Sequence, residues 1–255
     1  MLKKYRDIKT NYDLGKRYQN DLFHIDGYSK SIYEMNKNPL RTEIINFLLA
    51  SFNKKETTYL EIGVRFPEEN FNQIKSTVKY GVDPGLENKE NPVDFKLTSD
   101  AFFEQLRAGK VLNSNFKFDV IFIDGLHLAD QVDLDIINSL EFINDDGFIV
   151  LHDCNPPTEF HSLESHAYKL SPARGYWNGT TWKAFFKWRQ KAEVYSCCVD
   201  TDWGIGVISK KINFGKKSET KNSFFEYNVL NQNRTESLNL ITYSDFMTII
   251  NSKKI

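Results

Sequence analysis

Five short apolar runs between residues 57 and 153 constrain this chain more than any other feature. They are "TTYLEIGV", "KYGVDP", "VDFKLTSD", "KFDVIFID" and "GFIVLHD", and each stops on an acid, a glycine or a histidine. Helical patterns fill the gaps in "PEENFNQIKSTV", with Pro67 at a first helical position, in "AFFEQLRAG" and in "ADQVDLDIINSLEFI". Strands alternating with helices require crossover connections, so the expectation is an α/β chain with a parallel sheet covered on both faces. Further on, "EVYSCCVD" and "WGIGVIS" read as two strands joined by a short turn, an antiparallel hairpin.

The flanks divide the chain into three expected parts. Residues 1–56 form an N-terminal helical extension, ending in the striped helix "RTEIINFLLASFNKK"; its first 40 residues carry no clear assignment. Residues 57–210 form the core, with an aromatic insertion at 154–190 reading as a lid over the sheet edge. Residues 211–255 form a tail with helical stretches around "SFFEYNVLNQNR" and "YSDFMTIINS".

Composition excludes several classes. The 255 residues are 40% hydrophobic and 26% charged, with a formal net charge of -1, so no global field draws the chain to nucleic acid or anionic lipid; only a local basic patch could. No apolar run reaches the length of a membrane span. Cys154, Cys197 and Cys198 are odd in number and lack a C-x-x-C spacing, which argues against a disulfide framework or a zinc knuckle and for a cytoplasmic protein. The adjacent pair Cys197 and Cys198 should point to opposite faces of a strand as packing residues. His161 and His166, without partnering cysteines, are weak evidence for zinc.

Ligands of an open parallel sheet bind beyond the carboxyl ends of its strands. Those ends carry Glu61 and Gly63, then Asp83, then Ser99 and Asp100, then Asp124 with His127, then His152 and Asp153. One acid at a strand end is ordinary capping; five polar ends in succession are better explained by a shared cleft. Asp83 stands where an acid accepts ribose hydroxyls. The loop "GVRFPEEN" lacks glycines for a pyrophosphate, and Glu68 and Glu69 would repel one. A nucleoside without phosphates and with a cationic group fits better, as S-adenosylmethionine does and NAD does not.

"YLEIGV", "YGVDP", "FDVIFIDGLH" and "GFIVLHDCNPP", in this order, resemble class I S-adenosylmethionine-dependent methyltransferases, of the bacterial methyltransferase family 24 type. "GYWNGTTWKAF" and "VDTDWGIGVIS" are similar to recurring stretches of that group, so the likeness spans 57–210. The resemblance implies a Rossmann-like, seven-stranded, mostly parallel sheet whose last two strands form the hairpin. It implies that Glu61 and Gly63 line the methionine end of the cofactor, Asp83 holds the ribose, and Ser99 and Asp100 lie near the adenine. The glycine-rich first loop is replaced by Arg65-Phe66-Pro67-Glu68, which leaves room for a cofactor pose adjusted around Asn70 or for a chain that only binds.

Methyl transfer to oxygen requires an in-line acceptor, removal of its proton and exclusion of water. His127 is the candidate base, since imidazole titrates near working pH. Asp124 and Asp153 end adjacent strands, and two carboxylates there need a shared cation or proton. They are candidate ligands of Mg²⁺, with Asn155 as a third oxygen donor, or else Asp124 contacts the cofactor amine without metal. Asp153 thus counts as catalytic with His127, while His152 should face the other side of the sheet and pack. Trp177, Asn178 and Trp182 are candidates for holding a small-molecule or saccharide acceptor. A homo-oligomer is compatible with all of this. The rival readings are an NAD(P)-dependent oxidoreductase and a non-catalytic binding module on the same fold.

Overall fold

The computed structural model describes residues 2–166 and 170–253. Three segments rich in β-branched and aromatic residues begin the parallel part of the sheet: β1 (Thr58–Ile62), β2 (Val78–Val82) and β3 (Phe118–Ile123). β4 (Ile143–Leu151) continues it in parallel, and β6 (Ile205–Ser209) adds antiparallel to β4. β5 (Tyr195–Val199) pairs antiparallel with β6, and β7 (Leu240–Ile241) pairs parallel with β5. The order is β2-β1-β3-β4-β6-β5-β7, a seven-stranded, mostly parallel sheet containing the expected hairpin.

Two strands differ from expectation. "VDFKLTSD" contributes only a single bridge, Val82 to Phe95, because the Asp94 carboxylate takes the Gly81 N–H (2.8 Å) that would extend the ladder. The seventh strand comes instead from the tail, as β7. "PEENFNQIKSTV" is not an α-helix but two short 3₁₀ turns, Pro67–Glu69 and Phe71–Gln73, broken at Asn70. Asn70 is drawn inward there, donating from Nδ2 to Glu61 Oε2 (2.8 Å) and accepting from Thr42 Oγ1 (2.7 Å).

Both faces of the sheet are covered. Alternation along the strands sends Leu60, Ile62 and Ile121 to one face and Tyr59, Val120 and Phe122 to the other. The first face packs under α4 (Ser99–Arg107), α5 (Ala129–Phe142) and α6 (Thr181–Arg189). The second packs under α3 (Arg41–Ser51) and, from the tail, α9 (Tyr243–Asn251), whose Phe246 meets Phe47 edge-on. Cys197 and Cys198 fall on opposite faces as free buried thiols, in line with the packing reading. The short helices α7 (Tyr227–Gln232) and α8 (Arg234–Leu238) complete the tail. Within the stretch 1–40, unassigned from sequence, lie two helices, α1 (Leu2–Asn20) and α2 (Leu22–Met35).

Register sets the site. Ile62 pairs with Val82 and with Ile123, and Ile123 pairs with Leu151, so Gly63, Asp83, Asp124 and His152 leave the sheet at one level. Because β6 runs antiparallel to β4, with Leu151 opposite Gly206, the β5–β6 loop (200–204) returns to that same edge. Gly63 is required where β1 and β3 end: at φ +93 a side chain is strained, and a Cβ would sit 2.3 Å from the Asp124 carbonyl oxygen.

α2 is seated on the insertion through His161, whose Nε2 lies 2.8 Å from Ser31 Oγ and whose Nδ1 lies 2.7 Å from Thr158 Oγ1. Ser31 Oγ already donates to Gly27 O, so the neutral Nε2–H form satisfies all three groups. Burial pushes the His161 pKa down to about 4. The folded state therefore binds the proton less well than the unfolded chain, and stability is lost as pH falls through 6.5 towards 4. Urea unfolding at pH 7.5 and 4.5 should show a loss of roughly 2 kcal/mol from this group. His161→Gln should reduce the pH dependence by that amount; an unchanged slope would remove His161 as its source.

Candidate active site

Beyond the strand ends lies a connected set of ionisable groups. Asp124 follows β3, and its N–H donates to Ile62 O (2.9 Å), which holds the turn against β1. His127 ends this turn and is pinned from the insertion: Thr180 N–H donates to the His127 carbonyl (2.8 Å). Gly179, at φ +61, must be glycine there, since a Cβ would lie 2.2 Å from that same carbonyl oxygen. Thr180 Oγ1 also accepts from Ala129 N–H (2.8 Å), so the insertion and the start of α5 are tied together.

His152 and Asp153 follow β4. The strand stops at Leu151 and Asp153 takes a left-handed conformation (φ +62), which breaks the alternation that would have put the two side chains on opposite faces. His152 is therefore not the packing residue expected. Its Nδ1 lies 3.3 Å from Asp124 Oδ1 and 3.2 Å from Asp153 Oδ2. Its Nε2 faces Asp202 Oδ1 at 3.3 Å. His127 bridges the same two acids, Nε2 to Asp124 Oδ1 (3.3 Å) and Nδ1 to Asp153 Oδ2 (3.1 Å).

Arg41 and Asp202 close the set, and the sequence reading missed both. Asp202 Oδ2 accepts from the Arg41 backbone N–H (2.8 Å) and lies 3.3 Å from its Nη1, while Arg41 Nε stands 3.8 Å from Asp124 Oδ2. Asp202 lies in "VDTDWGIGVIS", where a turn role hid it. Arg41 has no local signal at all, because its partners lie far along the chain. Asp202 and Trp203 both hold positive φ (+43, +63), a conformation that costs of order 1–3 kcal/mol per residue and points to a constrained function.

The electrostatics follow from three carboxylates in a buried space. Burial disfavours the charged rings of His152 and His127, but Asp153 and Asp124 outweigh it, raising His127 and holding His152, with Asp202 adding its pull, well above the usual range. Asp202 is also opposed by burial, yet the His152 charge brings it down to about 2. Glu61 goes the other way: burial pushes it up to about 7, although Tyr59 Oη (2.6 Å) and Asn70 Nδ2 donate to its Oε2.

The other sequence candidates separate. Trp177 stacks on His127, with centroids 5.2 Å apart and planes 14° apart, and Asn178 Nδ2 donates to Asp153 Oδ1 (2.6 Å). Trp182 does not join them: it is 1% exposed in the core, edge-on to Phe225, because it falls on the apolar stripe of α6. Asn155 is also elsewhere, accepting from Arg234 Nη1 (2.5 Å) and donating to Asp200 Oδ1 (3.2 Å), since Asp153 turns the chain before it. Ser99 Oγ and Asp100 Oδ1 accept from Gln131 Nε2 (3.2 Å each) and so brace α4 against α5. Asp83 Oδ1 accepts from Gly85 N–H (2.6 Å). His166 stands beside Trp177 rather than in a ligand set. The lid expected at 154–190 includes residues 167–169, which lie outside the described residues.

Asp124, His152 and Asp153 each offer one ligand atom, all within 4.8 Å of one another. Asn178 Oδ1, buried beside them, lacks a hydrogen-bond partner among the described residues, and His127 Nδ1 and Arg41 Nε meet carboxylates at 3.1 and 3.8 Å without making a hydrogen bond. Native interiors rarely leave such groups unpaired, so the cluster has the chemistry of a site that takes a further group. The residues fit a divalent ion. With Nε2–H turned to Asp202, and Arg41 Nη1 (3.3 Å from the same Nε2) donating to Asp202 instead, His152 would present Nδ1 beside two carboxylates, the carboxylate–histidine arrangement that orients a metal ligand.

Residues 46–154 match a family model described as a methyltransferase domain. Among solved structures, a Corynebacterium glutamicum protein is similar at a TM-score of 0.42 and 12% identity, covering 78% of this chain and 97% of that one. An O-methyltransferase from Bacillus cereus, solved in complex with SAH, is similar at 0.42 and 12% identity, covering 74% and 91%. No curated protein matches this chain.

Proposed function

Because residues 46–154 match a family model described as a methyltransferase domain, we propose that the protein transfers a methyl group from S-adenosylmethionine to a hydroxyl oxygen of a small or saccharide acceptor. The observation that carries this reading is the convergence of Glu61, Asp83, Asp124, His127, His152 and Asp153 on one sheet edge. Asp83 Oδ2, beside the bonded Oδ1, would accept the ribose hydroxyls. Glu61, with its pKa raised to about 7, tolerates both charge states and would favour the ionised one beside the cofactor's amine. S-adenosylmethionine, when bound, supplies a methyl group on a sulfonium.

The chain's own residues then handle the acceptor. Trp177 gives a flat wall against His127, of the kind that packs on a sugar face. His127, held between Asp124 (Nε2, 3.3 Å) and Asp153 (Nδ1, 3.1 Å), would take the hydroxyl proton as the O–C bond forms and the S–C bond breaks. Asp124, His152 and Asp153 would hold a divalent ion, which when bound would lower the pKa of a coordinated hydroxyl. An imidazole suits a transition ion better than Mg²⁺, while two carboxylates suit Mn²⁺, so Mn²⁺ matches the mixed set.

A dinucleotide oxidoreductase is disfavoured, because β1 is followed by 3₁₀ turns rather than by a helix N-terminus that could bind pyrophosphate. A binding-only module retains one supporting observation. Asn88 Nδ2 donates to Arg65 O (3.0 Å) and Asn91 Nδ2 to Val64 O, tying together the two loops that would flank a cofactor.

Thermal unfolding with S-adenosylhomocysteine or NAD tests the reading. At about 100 times its Kd, S-adenosylhomocysteine should add roughly 2.7 kcal/mol of stability and NAD none. The opposite pattern would reverse the assignment. S-adenosylhomocysteine binding without turnover on a panel of sugars and phenols would favour the binding module.

A further inference from the structure

We propose that α1 is an amphipathic arm that lies on an anionic lipid surface and orients the protein there. This goes beyond the methyl-transfer reading and does not rest on it. α1 runs for 19 residues, and none of its residues is buried against the rest of the chain. An isolated helix of this composition is marginal in water, so its stability calls for a surface to pack on.

Its faces say what kind. Leu2, Tyr5, Ile8 and Tyr12 recur at helical spacing and are 88%, 71%, 59% and 61% exposed. Tyr18 sits on another side and meets His24 of α2, with ring centroids 5.2 Å apart, which turns the first face away from the body. α1 carries Lys3, Lys4, Arg6, Lys9, Lys16 and Arg17 against Asp7 and Asp13, a charge of +4. The whole chain carries -1, so everything outside α1 sums to -5.

That segregation selects the occupant. Two copies meeting through α1 would set +4 against +4. A nucleic acid duplex would satisfy the charge but leave Leu2 and Ile8 in water. An anionic bilayer meets both needs: apolar side chains enter the headgroup boundary while the lysines bury their stems and keep their ammonium groups at the phosphates. The negative remainder is repelled by the same surface, so contact is made through α1 alone.

The test is sedimentation of the full chain with phosphatidylcholine vesicles, with and without phosphatidylglycerol. Binding should rise at least about tenfold with phosphatidylglycerol and fall at high salt. Lys4→Glu with Lys9→Glu, and separately Ile8→Ser with Tyr12→Ser, should each abolish most of it. Both variants should keep the wild-type Tm, because α1 buries nothing in the fold. Equal sedimentation with the two vesicles, or binding that survives both variants, overturns the proposal. So does a dimer in analytical ultracentrifugation that Ile8→Ser dissolves, since a second copy would then cover this face.

Discussion

Replacing His127 by Ala should lower kcat by about 10²- to 10⁴-fold, the usual contribution of a positioned base. KM for the acceptor should change far less, and S-adenosylhomocysteine affinity, measured calorimetrically, should stay within about twofold of wild type. The split matters because His127 also stacks on Trp177 and joins Asp124 to Asp153. If its role were only to hold those groups, cofactor and acceptor binding would fall together with kcat. The pH profile gives a second reading. Burial favours the neutral ring, but Asp153 and Asp124 outweigh it and raise the pKa above 6.5. A base must be deprotonated, so the acid limb of kcat belongs above pH 6.5 and should vanish in the variant. A variant retaining a third of the wild-type rate would remove His127 from proton transfer.

The second large effect is expected at Asp202. Asp202→Asn keeps the shape and tolerates the left-handed backbone at φ +43, but it removes the charge facing His152 Nε2. Outer partners of this type hold a ligating imidazole in one tautomer, and their loss typically costs 10- to 100-fold in metal affinity. Titration of the variant with Mn²⁺ should show a loss of that size, with S-adenosylhomocysteine affinity unchanged. Arg41 would keep one acidic neighbour, Asp124, so the fold should survive. Wild-type Mn²⁺ affinity in Asp202→Asn would mean that His152 is not a ligand, and that the three carboxylates are balanced by protonated imidazoles and Arg41 alone.

The parts of the site legible in the sequence are those carried by strand ends. Asp83, Asp124 and Asp153 could be placed on one edge because each ends or follows an apolar run, and parallel strands deliver their ends together. His127 was legible as a polar residue in the turn that follows. The differences have separate physical causes. His152 was assigned to the wrong face because strand alternation was extended two residues past Leu151, beyond the point where Asp153 turns left-handed. Trp182 was given a ligand role although α6 spacing already placed it on a core stripe. The third strand failed because one side chain, Asp94, displaced a backbone pairing that propensity alone supports.

What this sequence determined by itself is local: where apolar alternation makes a strand, where helical spacing makes a helix, and that acids cluster at the ends. Those are properties of neighbouring residues, and neighbouring residues suffice to set them. Tertiary structure alone decided that Arg41, from before the sheet, and Asp202, from the hairpin that closes it, meet around His152. These contacts join residues 111 and 161 positions apart along the chain. No local pattern encodes such a meeting; it arises when β6 inserts beside β4 and brings its loop back to the carboxyl edge.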